Sequence, residues 1–181
     1  IVVCSGHKGM LGPAGVGVLY VRAGVEAKIA PVRLGGTGGA DREGMPAKFE
    51  AGTPNVPGIA GLGASAGWLR ATSVDAVRAH ELGLTSRMLA GLQERGVRHP
   101  LWKGTGSLGS LRLLGPVDPH QRTGIVSLVH DDLGAEELAG MLEASFGIAC
   151  RGGVACAPGT HAALGSGGAV RLSVGAFTTE G

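Results

Sequence analysis

The sequence predicts an α/β fold, and two observations carry that reading. Short β-branched or leucine-rich runs recur at Ile1–Cys4, Gly17–Val21, Leu111–Leu114, Ile125–Val129, Ile148–Arg151 and Val170–Val174. Helix-patterned stretches separate them, and alternation of strands with helices implies an α/β layer. Glycine supplies 35 of 181 residues, far above a usual level of roughly 7%, so the backbone must turn sharply or approach something closely at several places.

Taken in order, Ile1–Cys4 reads as a strand leading into Ser5-Gly6-His7-Lys8-Gly9, a Gly/Pro turn and a second strand, Gly17–Val21. Residues 30–57 are rich in Gly and Pro with charges interspersed, which predicts a long irregular segment of the kind that is usually functional. Gly58–Arg70 is small and apolar and predicts a buried helix. Ser73 is placed to cap an amphipathic helix from Val74 to about Arg95, with Val77, Leu84, Met88 and Leu92 on the core face and Gly96 ending it. After Gly96 come the strands Leu111–Leu114 and Ile125–Val129, a helix over Ala135–Ser145 with Leu138 and Leu142 on one face, and the strands Ile148–Arg151 and Val170–Val174. A domain boundary is expected after Gly96, giving domains 1–96 and 97–181. No repeat at solenoid periods is present.

Composition narrows the function classes. Hydrophobic residues make up 44% of the chain and there is no G-X-Y period, which excludes collagen and a disordered tract. A net charge of +2 predicts neither a nucleic-acid stripe nor a polybasic membrane patch. The apolar runs are too short to span a membrane, and no signal peptide is visible. Three irregularly spaced cysteines argue against a disulfide framework and for a reducing compartment, so a cytoplasmic setting is expected. Cys150, Cys156 and His161 lack zinc-ligand spacing, and no metal site is expected.

Several residues could carry chemistry. Lys8, at a strand end among small neighbours, could approach a carbonyl and form a Schiff base; the alternative is a solvated lysine at a turn. Ser5 and His7 are donors placed to meet a phosphate. Cys156 sits in the small-residue loop Arg151-Gly152-Gly153-Val154-Ala155-Cys156-Ala157-Pro158, where a nearby cation would favour the reactive thiolate; a structural cysteine is the competing reading. Cys150, inside a strand pattern, reads as a small buried hydrophobe. Arg171, inside an apolar strand, wants an anionic partner, either a protein carboxylate or a substrate carboxylate. Thr53 could offer a hydroxyl to a phosphate or be a turn threonine. Gly104-Thr105-Gly106-Ser107-Leu108-Gly109 matches the dinucleotide fingerprint literally but leads into a strand-like run, so it reads as a connector. Gly35-Gly36-Thr37-Gly38-Gly39 lacks the ending of a P-loop.

The order of these pieces is more specific than any one of them. Ser5-Gly6-His7-Lys8-Gly9 with Leu11-Gly12-Pro13 resembles the cofactor-lysine loop of class V aminotransferase-like enzymes, and Phe49-Glu50-Ala51-Gly52-Thr53-Pro54-Asn55 resembles a second signature of that family. Arg151-Gly152-Gly153 through Cys156-Ala157-Pro158, His161, Leu164-Gly165 and Val170-Arg171-Leu172-Ser173 with Phe177 resembles a third, in the form of its cysteine desulfurase branch. The matching stretches run from Ile1 to Thr179, with Leu101–Ser110 poorly matched.

The resemblance implies a fold-type I transferase dependent on pyridoxal phosphate: the end of a large domain plus a smaller C-terminal α/β domain. It further implies that Lys8 holds the cofactor and moves the substrate α-proton, and that Ser5 and His7 bind the cofactor phosphate. Thr53 would reach the phosphate in the neighbouring protomer of a homodimer, and Arg171 would clamp the α-carboxylate of L-cysteine. Cys156 would take the substrate sulfur as a persulfide, leaving L-alanine, and pass it to a sulfur-acceptor protein in sulfur metabolism such as iron–sulfur cluster assembly. Ala155 stands where many relatives carry His. The ring-stacking residue and the Asp that meets the pyridine nitrogen are not found here, and the last helix is expected to be cut off. The chain is thus expected to be part of a longer enzyme and inactive alone. Another class V enzyme such as an aminotransferase, or a noncatalytic scaffold of the same fold, is the alternative.

Overall fold

The computed structural model describes residues 1–36, 44–103 and 106–180. By contact, the chain forms two compact units, Ile1–Val74 and Asp75–Gly181. The long helix thus packs with the second unit, whereas the sequence boundary after Gly96 places it with the first.

In the first unit, β1 (Val2–Ser5) and β2 (Gly17–Tyr20) form an antiparallel pair in which Cys4 faces Val18 and Ser5 faces Gly17. The segment that follows is irregular, as expected, apart from short 3-10 turns at Glu26–Lys28 and Ala47–Phe49. Lys48 Nζ ties the two turns by donating to the Glu26 carbonyl at 2.7 Å. Residues 37–43, and with them part of the Gly35–Gly39 run, lie outside the described residues. Helix α1 (Val56–Thr72) starts where Asn55 Oδ1 accepts the Gly58 N–H at 3.2 Å, with Pro57 in the first turn. It stops at Ser73, whose φ of 75° is left-handed.

The buried helix expected here is only partly so. Gly58 and Leu69 are buried, but Val56, Ile59 and Trp68 are exposed. The physical reason is size: the helix surface facing the loop after β1 is largely glycine, which lets backbones close up but hides little area. A Cβ on Gly58 would lie 2.5 Å from Val16 Cγ1, and one on Gly61 would lie 3.0 Å from Pro13 Cγ.

The second unit is built on a three-stranded antiparallel sheet of β3 (Leu111–Leu114), β4 (Ile125–His130) and β5 (Val170–Ser173), in that order. Leu113 faces Leu128, and Leu128 faces Val170, so one sheet face is apolar. That face packs with α2 (Val74–Glu94) around Leu89 (4% exposed), Leu113 (2%) and Val126 (1%), with Met88 and Leu92 against them. Of the expected stripe, Met88 and Leu92 reach this core, Leu84 is buried and Val77 half-buried, and Leu89 joins them. Gly96 closes the helix with φ 80° and touches Gly106 so closely that neither position has room for a Cβ. Gly106–Gly109 acts as a connector; Gly104 and Thr105 lie outside the described residues.

Helix α3 (Ala135–Phe146) joins β4 toward β5 and ends on Gly147 at φ 64°. One expectation needs correcting. Ile148–Arg151 is not a strand: Arg151 alone bridges Arg171, through N–H···O bonds of 3.1 and 2.8 Å. Beyond it the two segments keep only a single further bond, from Ala169 N–H to Gly153 O. A short helix, α4 (Pro158–Ala163), follows the loop, with Pro158 in its first turn.

Candidate active site

The residues singled out from the sequence divide between the two units. In the first, Ser5 ends β1 and delivers the chain into a loop closed by its own backbone. Gly6 N–H donates to Val16 O at 3.0 Å, Gly12 N–H to Gly6 O at 2.7 Å, and Leu11 N–H to Lys8 O at 2.8 Å. Only glycine fits at Gly6 and Gly12: a Cβ would sit 2.8 Å from Val16 O in the first case and 2.8 Å from Leu62 Cδ1 in the second. This backbone knot, seated on α1, holds up an exposed Lys8 and an exposed His7, whose Nδ1 is 3.1 Å from Ser5 Oγ. An amine, an imidazole and a hydroxyl thus stand on one short loop. No Asp or Glu occurs between Ile1 and Val25 to neutralise them. Such a set can meet a phosphate or a carbonyl.

Thr53 lies on a separate exposed turn, after Gly52 at φ 82°. Gly36 approaches that turn: a Cβ on it would stand 3.0 Å from the Gly52 Cα. Among the described residues no hydrogen bond joins Thr53 to Ser5, His7 or Lys8.

In the second unit, the sheet face opposite the core carries Arg171, paired in register with Ser127. The neighbours Val170 and Leu172 point the other way because strand side chains alternate. Arg171 Nε is buried without a hydrogen-bond partner. The loop bearing Cys156 is fastened at both ends. Gly152 abuts α3, where a Cβ would lie 2.5 Å from Ala135 O, and Gly153 lies against the Glu136 carboxylate. Ala169 N–H donates to Gly153 O at 3.1 Å. At the tip, Ala155 (φ 46°) and Cys156 (φ 62°) are consecutive non-glycine residues in left-handed conformation, a geometry costing roughly 1–2 kcal/mol per residue. Strain of this kind clusters at functional sites. It presents an exposed Cys156 before the chain enters α4.

Beside this loop is a cavity of about 250 Å³, bordered by Ser127, Ala155, Ala157, Thr160, His161 and Arg171. His161 is held by a 2.9 Å contact between its Nδ1 and Ser166 Oγ. The sequence weighs His161 as a zinc ligand and places it in the desulfurase-like signature without a role, and it gives Ser127 no part. Nothing in the local sequence signals a cross-strand neighbour 44 residues away from Arg171. Cys150 is half-buried, its Sγ 4.0 Å from the Ala139 carbonyl; burial, and secondarily the charge of Glu143, push its thiol pKa up. A larger cavity of about 550 Å³ lies among Met88, Leu92, Leu138, Leu142, Val170 and Leu172, away from Cys156 and Arg171 and almost wholly apolar.

The profile of the family described as Aminotransferase class-V matches residues 1–181. The chain belongs to the class-V aminotransferase family.

Similar class-V proteins share a narrower description. The chain is 33% identical over 185 residues to a probable cysteine desulfurase of Methanothermobacter thermautotrophicus, covering 97% of this chain and 42% of that one. Its fold matches the apo cysteine desulfurase of Thermococcus onnurineus NA1 with a TM-score of 0.83 at 29% identity, over 98% of this chain and 42% of that one. It also matches an Escherichia coli cysteine desulfurase determined as its S-sulfonic acid, with a TM-score of 0.74 at 26% identity over 98% of this chain and 42% of the other. The chain thus spans about 42% of the length of these relatives. The expected α/β fold, that of a fragment of a fold-type I transferase, holds. Class-V aminotransferases as a family work with pyridoxal phosphate.

Proposed function

We propose that this class-V chain serves, within a longer protein, in a pyridoxal-phosphate-dependent cysteine desulfurase. The observation that carries the reading is Cys156: an exposed thiol on a left-handed loop tip, clamped at both ends, beside a cavity that Arg171 lines, its Nε buried without a hydrogen-bond partner. An aminotransferase has no use for a thiol presented in this way. The relatives' descriptions point the same way.

The donor set on the Lys8 loop suits the cofactor. A hydroxyl and an imidazole for a phosphate, and an amine for an aldehyde, stand on a loop without acidic residues. In this reading Ser5 and His7 hold the phosphate, Lys8 holds the cofactor and carries the α-proton, and Thr53 reaches the phosphate in the partner protomer of a homodimer. When bound, the cofactor supplies an electron sink that weakens the substrate's C–S bond. Arg171 orients L-cysteine through its α-carboxylate by charge-assisted hydrogen bonds. The Cys156 thiolate attacks the substrate sulfur: the C–S bond breaks, an S–S bond forms, and the substrate β-carbon gains a proton. L-cysteine and the enzyme thiol thus become L-alanine and an enzyme persulfide, with atoms and electrons balanced. The persulfide then passes to a sulfur-acceptor protein in a cytoplasmic sulfur-mobilising role such as iron–sulfur cluster assembly. Residues 1–96 form the end of the large domain in this reading and residues 97–181 most of the small one.

The test is stoichiometric alanine release from L-cysteine by the full-length protein, with mass spectrometry locating the added sulfur on Cys156. Cys156→Ser is expected to lower turnover at least a hundredfold. Transamination that survives Cys156→Ser, with no persulfide formed, would overturn the reading in favour of an aminotransferase.

A further inference from the structure

We propose that His161, aligned by Ser166, is a second anion-binding residue that grips the substrate carboxylate together with Arg171. The identity of that substrate rests on the desulfurase reading; the anion site itself does not.

The cavity beside the Cys156 loop is lined mostly by apolar groups, but four polar side chains, those of Ser127, Thr160, His161 and Arg171, border it, and no Asp or Glu does. A buried guanidinium nitrogen without a partner is costly unless an acceptor arrives from outside the chain, and Arg171 Nε is such an atom. The protein-carboxylate alternative for Arg171 finds no support among the described residues, where it makes no ion pair. The space therefore suits a small anion.

His161 is built into that space rather than left to swing. Its backbone carbonyl accepts the Ser166 N–H at 2.9 Å, and its Nδ1 meets the Ser166 hydroxyl at 2.9 Å. The ring plane is thus set by a residue five positions on, beyond the end of α4. When the Ser166 hydroxyl donates to Nδ1 rather than to the more distant His161 carbonyl (3.5 Å), the ring proton sits on Nε2, the ring nitrogen without a partner among the described residues. Arg171 comes from β5 and His161 from α4, so the two side chains border one cavity from two different elements. An anion held by donors from two elements is fixed in orientation as well as place, which is what a reacting amino acid requires.

The experiment has two arms. In the first, the 181-residue chain, labelled with ¹⁵N at histidine, is titrated with acetate and with L-alanine. A saturable shift of the His161 Nε2 resonance, lost in Arg171→Gln, is expected; no shift with either probe overturns the proposal. In the second, the full-length holoenzyme carries His161→Gln, His161→Asn or Ser166→Ala. The Gln amide can stand in for Nε2 and the Asn amide cannot, so His161→Asn should raise KM for L-cysteine at least fivefold with kcat within twofold. His161→Gln should stay close to the parent and Ser166→Ala should fall between. Loss of kcat at unchanged KM would assign His161 to the loop instead and overturn the proposal. Should the full-length protein make no alanine while the His161 resonance still shifts, the desulfurase reading falls and the anion site stands.

Discussion

Cys156 and Cys150 are six residues apart and have opposite surroundings. The first stands exposed on a backbone forced through two left-handed residues; the second is half-buried, and burial raises its thiol pKa with help from Glu143. A thiol whose pKa is higher folded than unfolded binds its proton more tightly in the fold. Its contribution to stability is fully present below the unfolded pKa and is lost as pH rises through the folded one. Iodoacetamide should therefore label Cys156 well before Cys150 at mildly alkaline pH, as followed by peptide mass spectrometry. The stability lost by the second unit on further alkalinisation should shrink in Cys150→Ala. Equal labelling rates, or an unchanged alkaline limb, would contradict this account. Both cysteines were legible in the sequence as different kinds, one in a strand-like run and one in a small-residue loop. The left-handed backbone was not, since Ala155 and Cys156 carry no local preference for it.

Among the elements, the loop after β1 and the start of α1 behave as one piece. Gly6 and Gly12 bring the backbone back on itself, and Gly58 and Gly61 admit Val16 and Pro13 to the helix. The strand ends, the helix caps and the periodicity of α2 were readable because they depend on neighbours within four residues. The glycines of α1 could be counted but not explained, because what they admit comes from 40 or more residues earlier. Gly6→Ala places a methyl 2.8 Å from a backbone oxygen that cannot move aside independently. A destabilisation of about 1–3 kcal/mol is expected from such overpacking, measurable by urea unfolding followed by circular dichroism. Gly9→Ala, where a Cβ meets nothing within 4 Å, is the matched control and should change little. The misread stretch Ile148–Arg151 shows the converse. Its β-branched and apolar residues suit a strand, yet a sheet needs a partner for each residue, and only Arg151 finds one.

At the scale of the molecule, the two units are unequal. The second has a closed core of its own, formed by Leu89, Val97, Leu113, Val126 and Leu128. The first has a two-stranded ladder whose apolar residues are bare, with Val3 73% and Tyr20 56% exposed. Two-stranded ladders are at best marginal alone. Residues 75–181 expressed by themselves should therefore unfold cooperatively on heating, while residues 1–74 should bind a hydrophobic dye and show no sharp transition. A cooperative melt of 1–74 without dye binding would show that the ladder needs no further cover.

The sequence by itself determined the class of fold, the order of most strands and helices, and which residues carry reactive groups. These follow from side-chain chemistry and from contacts within a turn or two of the chain. Tertiary structure alone decided the rest. It aligned Arg171 with Ser127 across a sheet, brought His161 to the same cavity from a helix too short to announce itself, and bent the backbone so that Cys156 stands outward. Each of those depends on residues far apart in sequence being packed at ångström range, and local pattern holds no record of such distances.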